Sequence, residues 1–112
     1  MTKELRLLLT ELLRNLPVSS EVPEVEITGL ASDSRLVGAG DAFVALKGER
    51  FDGRDFIAAA ADRGAVAAIA DTEVKVAAPV PVVHVPGLRR HLSALGRGLY
   101  APMVKGLDVA GV

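Results

Sequence analysis

The chain contains no cysteine and no tryptophan. Without a thiol there is neither a disulfide framework nor a thiolate-held metal ion. Only His84 and His91 offer imidazole, too few for a structural zinc site. Aromatic rings are scarce as well, with three phenylalanines and one tyrosine in 112 residues. Alanine and valine must therefore build a core of small aliphatic side chains. A dominant charge is also missing, since 13 basic against 14 acidic residues leave a formal −1. That balance excludes the basic excess needed for non-specific nucleic-acid or membrane binding, but not a small local anion site. No apolar run is long enough to span a membrane, and Met1-Thr2-Lys3-Glu4 leads into an amphipathic pattern rather than a signal peptide. A cytoplasmic protein is expected.

What is present reads as one packed domain. Half the residues are hydrophobic, well above a disordered composition, and 112 residues suffice for a single core. Leucines at 5, 8, 9, 12, 13 and 16 trace one face of a helix over Lys3–Leu16, which Pro17 ends. Pro23–Ile27 has the pattern of a short strand, Gly29–Arg35 of its polar continuation, and Gly38–Asp41 of a turn. Ala42–Leu46 is wholly apolar between turn signals, as a buried central strand should be. A polar, glycine-bounded loop, Lys47–Gly53, leads to a helix over about Arg54–Arg63, which Gly64 stops in the left-handed conformation. Ala65–Ala70 and Pro81–Val85 are further strands, and Leu88–Tyr100 is a third helix weakened by Gly96 and Gly98. Strands alternating with helices predict an α/β fold. It should be a single small domain with a mixed or mostly parallel sheet of about four to five strands and about three flanking helices.

No catalytic arrangement is visible: no paired carboxylates at a telling spacing, no glycine-rich phosphate loop, no nucleophile elbow. His84 fits a partly exposed edge strand and His91 a solvated helix face. Two stretches stand out. Ser32-Asp33-Ser34-Arg35 sets hydroxyls and a guanidinium at the end of a strand, the edge where open α/β sheets bind ligands. The alternative is that Asp33 and Ser34 cap a turn while Arg35 pairs with a nearby carboxylate. Gly48-Glu49-Arg50-Phe51-Asp52-Gly53 lies between a buried strand and a helix, where backbone amides can face an anion. Its alternative is an ordinary surface loop with Asp52 as helix cap.

The run from Ser32 to Ile57, with its core Asp33-Ser34-Arg35 … Gly38-Ala39-Gly40-Asp41-Ala42-Phe43-Val44-Ala45 … Gly48 … Asp52-Gly53-Arg54, resembles the N-terminal domain of the Mur ligase family. The likeness continues through Arg63–Ala67, Val80–Pro86 and Leu107–Val112 and so covers nearly the whole chain. Departures are Ala39 for a usual proline, Ala42 for a larger apolar residue and Arg54 for a common histidine.

The resemblance implies an ADP-forming amide ligase of peptidoglycan synthesis acting on UDP-N-acetylmuramoyl-L-Ala-D-Glu. The branch that adds the third, diamino acid residue of the stem (MurE) is closer than the D-Ala-D-Ala-adding branch (MurF). Residues 1–106 would form the UDP-substrate-binding domain. Residues 107–112 would open the first strand of a central ATPase domain, projecting from this one and continued in cis. ATP and Mg2+ are implied for the parent enzyme, with no cofactor or metal in this fragment and no nucleic-acid or membrane partner. Carried over by alignment, Ser32, Ser34, Glu49, Arg50 and Phe51 would contact the UDP portion, the last three chiefly through their backbone. A freestanding, non-enzymatic α/β interaction module remains the alternative from another class.

Overall fold

The computed structural model describes residues 7–14, 16–18, 21–47, 52–71, 78–91 and 104–105. Its centre is a five-stranded, wholly parallel sheet. The strands are β3 (Leu30–Ala31), β4 (Ala42–Ala45), β5 (Ala67–Ala70), β6 (Val82–His84) and β7 (Val104–Lys105), in the spatial order β6-β5-β4-β3-β7. Two further short strands, β1 (Leu7–Leu8) and β2 (Glu26–Ile27), pair antiparallel beside it. The expected α/β architecture is present.

Strand alternation divides the core in two, because successive side chains point to opposite faces. Ala42, Val44, Ala67, Ile69 and Val83 share one cluster with Leu9, Leu13 and Leu88. Phe43, Ala45, Ala68 and Ala70 share the other with Ile57 and Ala60 of helix α2 (Ile57–Asp62). Alanines on both sides of that second interface let α2 lie close to the sheet. Among the described residues Phe43, 1% exposed, is the largest fully buried side chain. The shortage of aromatics thus becomes a thin layer packed on backbone and methyl groups.

Of the helix predicted over Lys3–Leu16, residues 3–6 and 15 lie outside the described residues, and the described part is shorter than its leucine stripe suggests. Residues 7–8 form β1, and α1 covers only Leu9–Leu12. The cause is a competing partner: Leu9 N–H donates to the Val25 carbonyl at 2.8 Å, so extended pairing with β2 holds the entry to the helix. Leu9 and Leu13, one helical turn apart, still point inward. The helix over Arg54–Arg63 begins instead as a 3-10 turn, Gly53–Phe56, before α2. Gly64 ends it at φ +114°, as the sequence requires. The helix expected over Leu88–Tyr100 is seen at 88–91; its remainder and the strand expected over Leu107–Val112 lie outside the described residues.

At the amino end of β4, the turn at 38–41 is locked by the buried Asp41, whose carboxylate accepts from Thr28 Oγ1 and Gly38 N–H, each at 2.9 Å. From β3 the chain steps one way through β4, β5 and β6, whereas β7 lies on the far side of β3. In open parallel sheets ligands bind outside the carboxyl ends of the strands. The residues leaving β3 are Ser32-Asp33-Ser34-Arg35.

Candidate functional site

Two tight turns follow the carboxyl ends of β3 and β4. After β3, Asp33 caps the 3-10 turn Ser34–Leu36 by accepting Arg35 N–H at 2.9 Å. The Arg35 guanidinium folds back onto the same carboxylate through Nε at 3.0 Å and Nη2 at 2.8 Å. After β4, Asp52 caps Gly53–Phe56 by accepting Arg54 N–H at 3.0 Å, and the Arg54 guanidinium likewise grips its carboxylate. Each turn is an Asp-x-Arg clamp that neutralises itself.

The hydrogen bonds from their own arginines hold both carboxyls at about 2, below the ordinary 3.8. Each arginine is raised in return, first by the same bond. The Arg35 side chain is 86% exposed and the Arg54 side chain 26%, so the first clamp stands in solvent and the second is more enclosed.

Between the turns lies a concavity of about 560 Å³. One wall is polar, made by Ser32, Asp33, Ser34 and Arg35. The other is apolar, made by Phe43, Leu46 and Phe56 with Gly53 between them. Gly53 is required by close approach: a Cβ there would fall 2.6 Å from the Leu46 nitrogen. Its N–H donates to the Leu46 carbonyl at 2.8 Å, and Lys47 bridges antiparallel to Asp52. Both ends of the connection through residues 48–51 therefore stand at the rim of the concavity.

Of the residues singled out in the sequence, Ser32 and Ser34 come together on the polar wall. Glu49, Arg50 and Phe51 lie outside the described residues. Arg35 pairs with Asp33, the carboxylate contact of the alternative reading, and also lines the concavity. The apolar wall was missed, although Phe56 had a signal: a large ring, 39% exposed, in an otherwise polar turn. His84 ends β6, an edge strand, and is partly exposed, as its sequence context suggested.

The family described as "Mur ligase family, catalytic domain" matches residues 26–100. The chain belongs to the Mur ligase family. Among curated relatives, the UDP-N-acetylmuramoyl-L-alanyl-D-glutamate–2,6-diaminopimelate ligase of Brucella melitensis biotype 1 is 51% identical over 81 residues, 71% of this chain and 17% of that protein. The ligase of the same name from Bacillus velezensis is 38% identical over 112 residues, 100% of this chain and 21% of that one. The chain thus spans about a fifth of the length of these relatives. A solved UDP-N-acetylmuramoylalanyl-D-glutamyl-2,6-diaminopimelate–D-alanyl-D-alanyl ligase from Acinetobacter baumannii superimposes with a TM-score of 0.67 at 31% identity, covering 86% of this chain and 22% of that one.

Proposed function

We propose that this Mur ligase domain holds the UDP end of a UDP-N-acetylmuramoyl-dipeptide for a ligase that adds the diamino acid of the peptidoglycan stem. The observation that carries the reading is the two-walled concavity at the carboxyl ends of β3 and β4, with Ser32 and Ser34 on its polar side. Hydroxyls are neutral donors, so they hold a diphosphate oxygen without trapping a product that must leave. The apolar wall suits a flat base or ribose face. Glu49, Arg50 and Phe51, between the paired Lys47 and Asp52, would add backbone donors from the facing rim. The substrate would be UDP-N-acetylmuramoyl-L-Ala-D-Glu. The sequence relatives' names favour the diaminopimelate-type addition, while the Acinetobacter baumannii structure supports a second reading, the D-alanyl-D-alanine-adding type.

In the whole protein the domain acts in the cytoplasm, joined in cis to domains that use ATP and Mg2+. Its part is positioning rather than bond making: holding one end of a long substrate in register lowers the entropic barrier at the other. The sequence has no glycine-rich phosphate loop. We therefore assign no step of phosphoryl transfer to these residues. Among the described residues no helix is long and apolar enough to cross a membrane.

Calorimetric titration with UDP tests the reading. The chain should bind UDP, and Ser34→Ala should weaken binding by about 1–3 kcal/mol, the range for a hydrogen bond to a charged group. Equal affinity in the variant, or no UDP binding in the parent, removes the site.

A further inference from the structure

The concavity's apolar wall is held from a distance. Lys47 directly follows the lining residue Leu46, and both of its backbone groups are taken by side chains far away in sequence. Its N–H donates to Asp71 Oδ1 at 3.1 Å, and its carbonyl accepts from Arg89 Nη2 at 3.1 Å. Asp71 is the first residue after β5, and its own N–H reaches back to the Ala45 carbonyl at 3.4 Å. Arg89 lies in the helical turn at 88–91 that follows β6, with its neighbour Leu88 fully buried in the core. Two successive crossovers of the sheet thus send one acidic and one basic side chain to the same residue.

We propose that Asp71 and Arg89 are positioning residues for ligand binding, fixing the Leu46–Lys47 and Asp52–Gly53 rim against which the ligand lies. This rests on the UDP reading of the concavity. The geometry leaves little slack. Gly53 N–H bonds the Leu46 carbonyl at 2.8 Å, and a Cβ on Gly53 would lie 2.6 Å from the Leu46 nitrogen. Any movement of Lys47 therefore carries Gly53 and the Asp52 clamp with it. The facing turn after β3 is held by its own clamp, through Asp33 and Arg35. Neither Asp71 nor Arg89 is among the residues lining the concavity. Their effect on a ligand is therefore indirect, through the backbone of Lys47 and, for Asp71, also through its attraction for the Arg54 guanidinium.

The test compares Asp71→Ala with Asp71→Asn, whose amide oxygen still accepts from Lys47 N–H, and Arg89→Ala with Arg89→Lys. UDP affinity, the urea midpoint and amide hydrogen exchange at Lys47 and at Ile69 in β5 are measured on the 112-residue chain. The alanine variants should lose roughly three- to tenfold in UDP affinity, the size of one net hydrogen bond. The Lys47 amide should exchange faster in Asp71→Ala while Ile69 keeps its protection, and Asp71→Asn and Arg89→Lys should recover most of the affinity. UDP affinity equal to the parent's in both alanine variants, or a loss in Asp71→Asn as large as in Asp71→Ala, overturns the inference. If Ser34→Ala weakens binding while these variants do not, the UDP reading stands and the inference fails. If the parent binds no UDP, the reading itself falls, and unchanged Lys47 exchange in Asp71→Ala would dismiss the brace independently.

Discussion

At the scale of single residues, the site is governed by two carboxylates that serve as turn caps before they serve any ligand. Asp33 and Asp52 each accept a backbone N–H and a guanidinium from the arginine two positions on. An aspartate with such a neighbour lets the chain reverse tightly after a buried strand. The arginine's charge is spent locally, so the rim gains donors without a strong positive field. The pH dependence follows from the sign of the shift. Both folded-state values are depressed to about 2 from 3.8, so the stabilisation is fully present above 3.8 and is lost as pH falls toward 2. Carboxyl resonances of Asp33 and Asp52 should therefore titrate near 2, and urea midpoints of the Asp33→Asn, Asp52→Asn double variant should fall less steeply through that window than the parent's. Titration of both groups near 3.8 would mean that the clamps do not persist in solution.

At the scale of elements, the alanine face of the sheet decides how α2 packs. Ala60 is fully buried in a cluster that includes Ala45, Ala68 and Ala70 and the larger Phe43. Close packing of this kind tolerates added volume poorly. Ala60→Leu is expected to cost about 1–3 kcal/mol through overpacking, whereas Ala58→Leu, on the exposed side of the same helix, should stay within about 0.5 kcal/mol. Urea unfolding of the two variants checks the contrast; equal losses would place the buried face of α2 elsewhere. The same packing anchors the concavity's apolar side, since α2 follows directly on the turn that carries Gly53 and Phe56.

At the scale of the whole molecule, the parallel pairing of β3 and β4 sets the turns that leave them side by side, and the concavity lies between those turns. The 112 residues hold a two-walled cleft but no glycine-rich loop ending in lysine and a hydroxyl residue. The chain should accordingly bind UDP weakly and ATP not detectably. Weak binding is expected because only part of a long substrate's contact surface is offered here, while the ordering cost of association is paid in full. Parallel calorimetric titrations with UDP and ATP decide this, and clear ATP binding without UDP binding would reverse the assignment.

Much of this was legible in the chain itself. Ala42–Leu46, Ala65–Ala70 and Pro81–Val85 announce buried strands because apolar runs bounded by glycine and proline have few other places to go, and β4, β5 and β6 fall within them. Gly64 marks the end of α2 because its φ of +114° is strained for any side chain. Ser32 and Ser34 could be singled out because they follow a strand, and their sharing of one wall agrees with that placement. What could not be read depends on partners distant in sequence. Leu30–Ala31 is too short to declare itself a strand, and it becomes one only between β4 and β7. Leu7 and Leu8 carry a helical stripe yet pair with Glu26–Ile27, because a backbone partner close at hand outweighs a local preference. Phe43 and Phe56, 13 positions apart, form one wall only after β4 and the turn beyond Gly53 have packed. Asp71 and Arg89 reach Lys47 across 24 and 42 residues, and no local pattern announces such a contact. Local chemistry determined the long apolar strands, the caps and the stops; pairing in space determined the short strands and which strand ends meet.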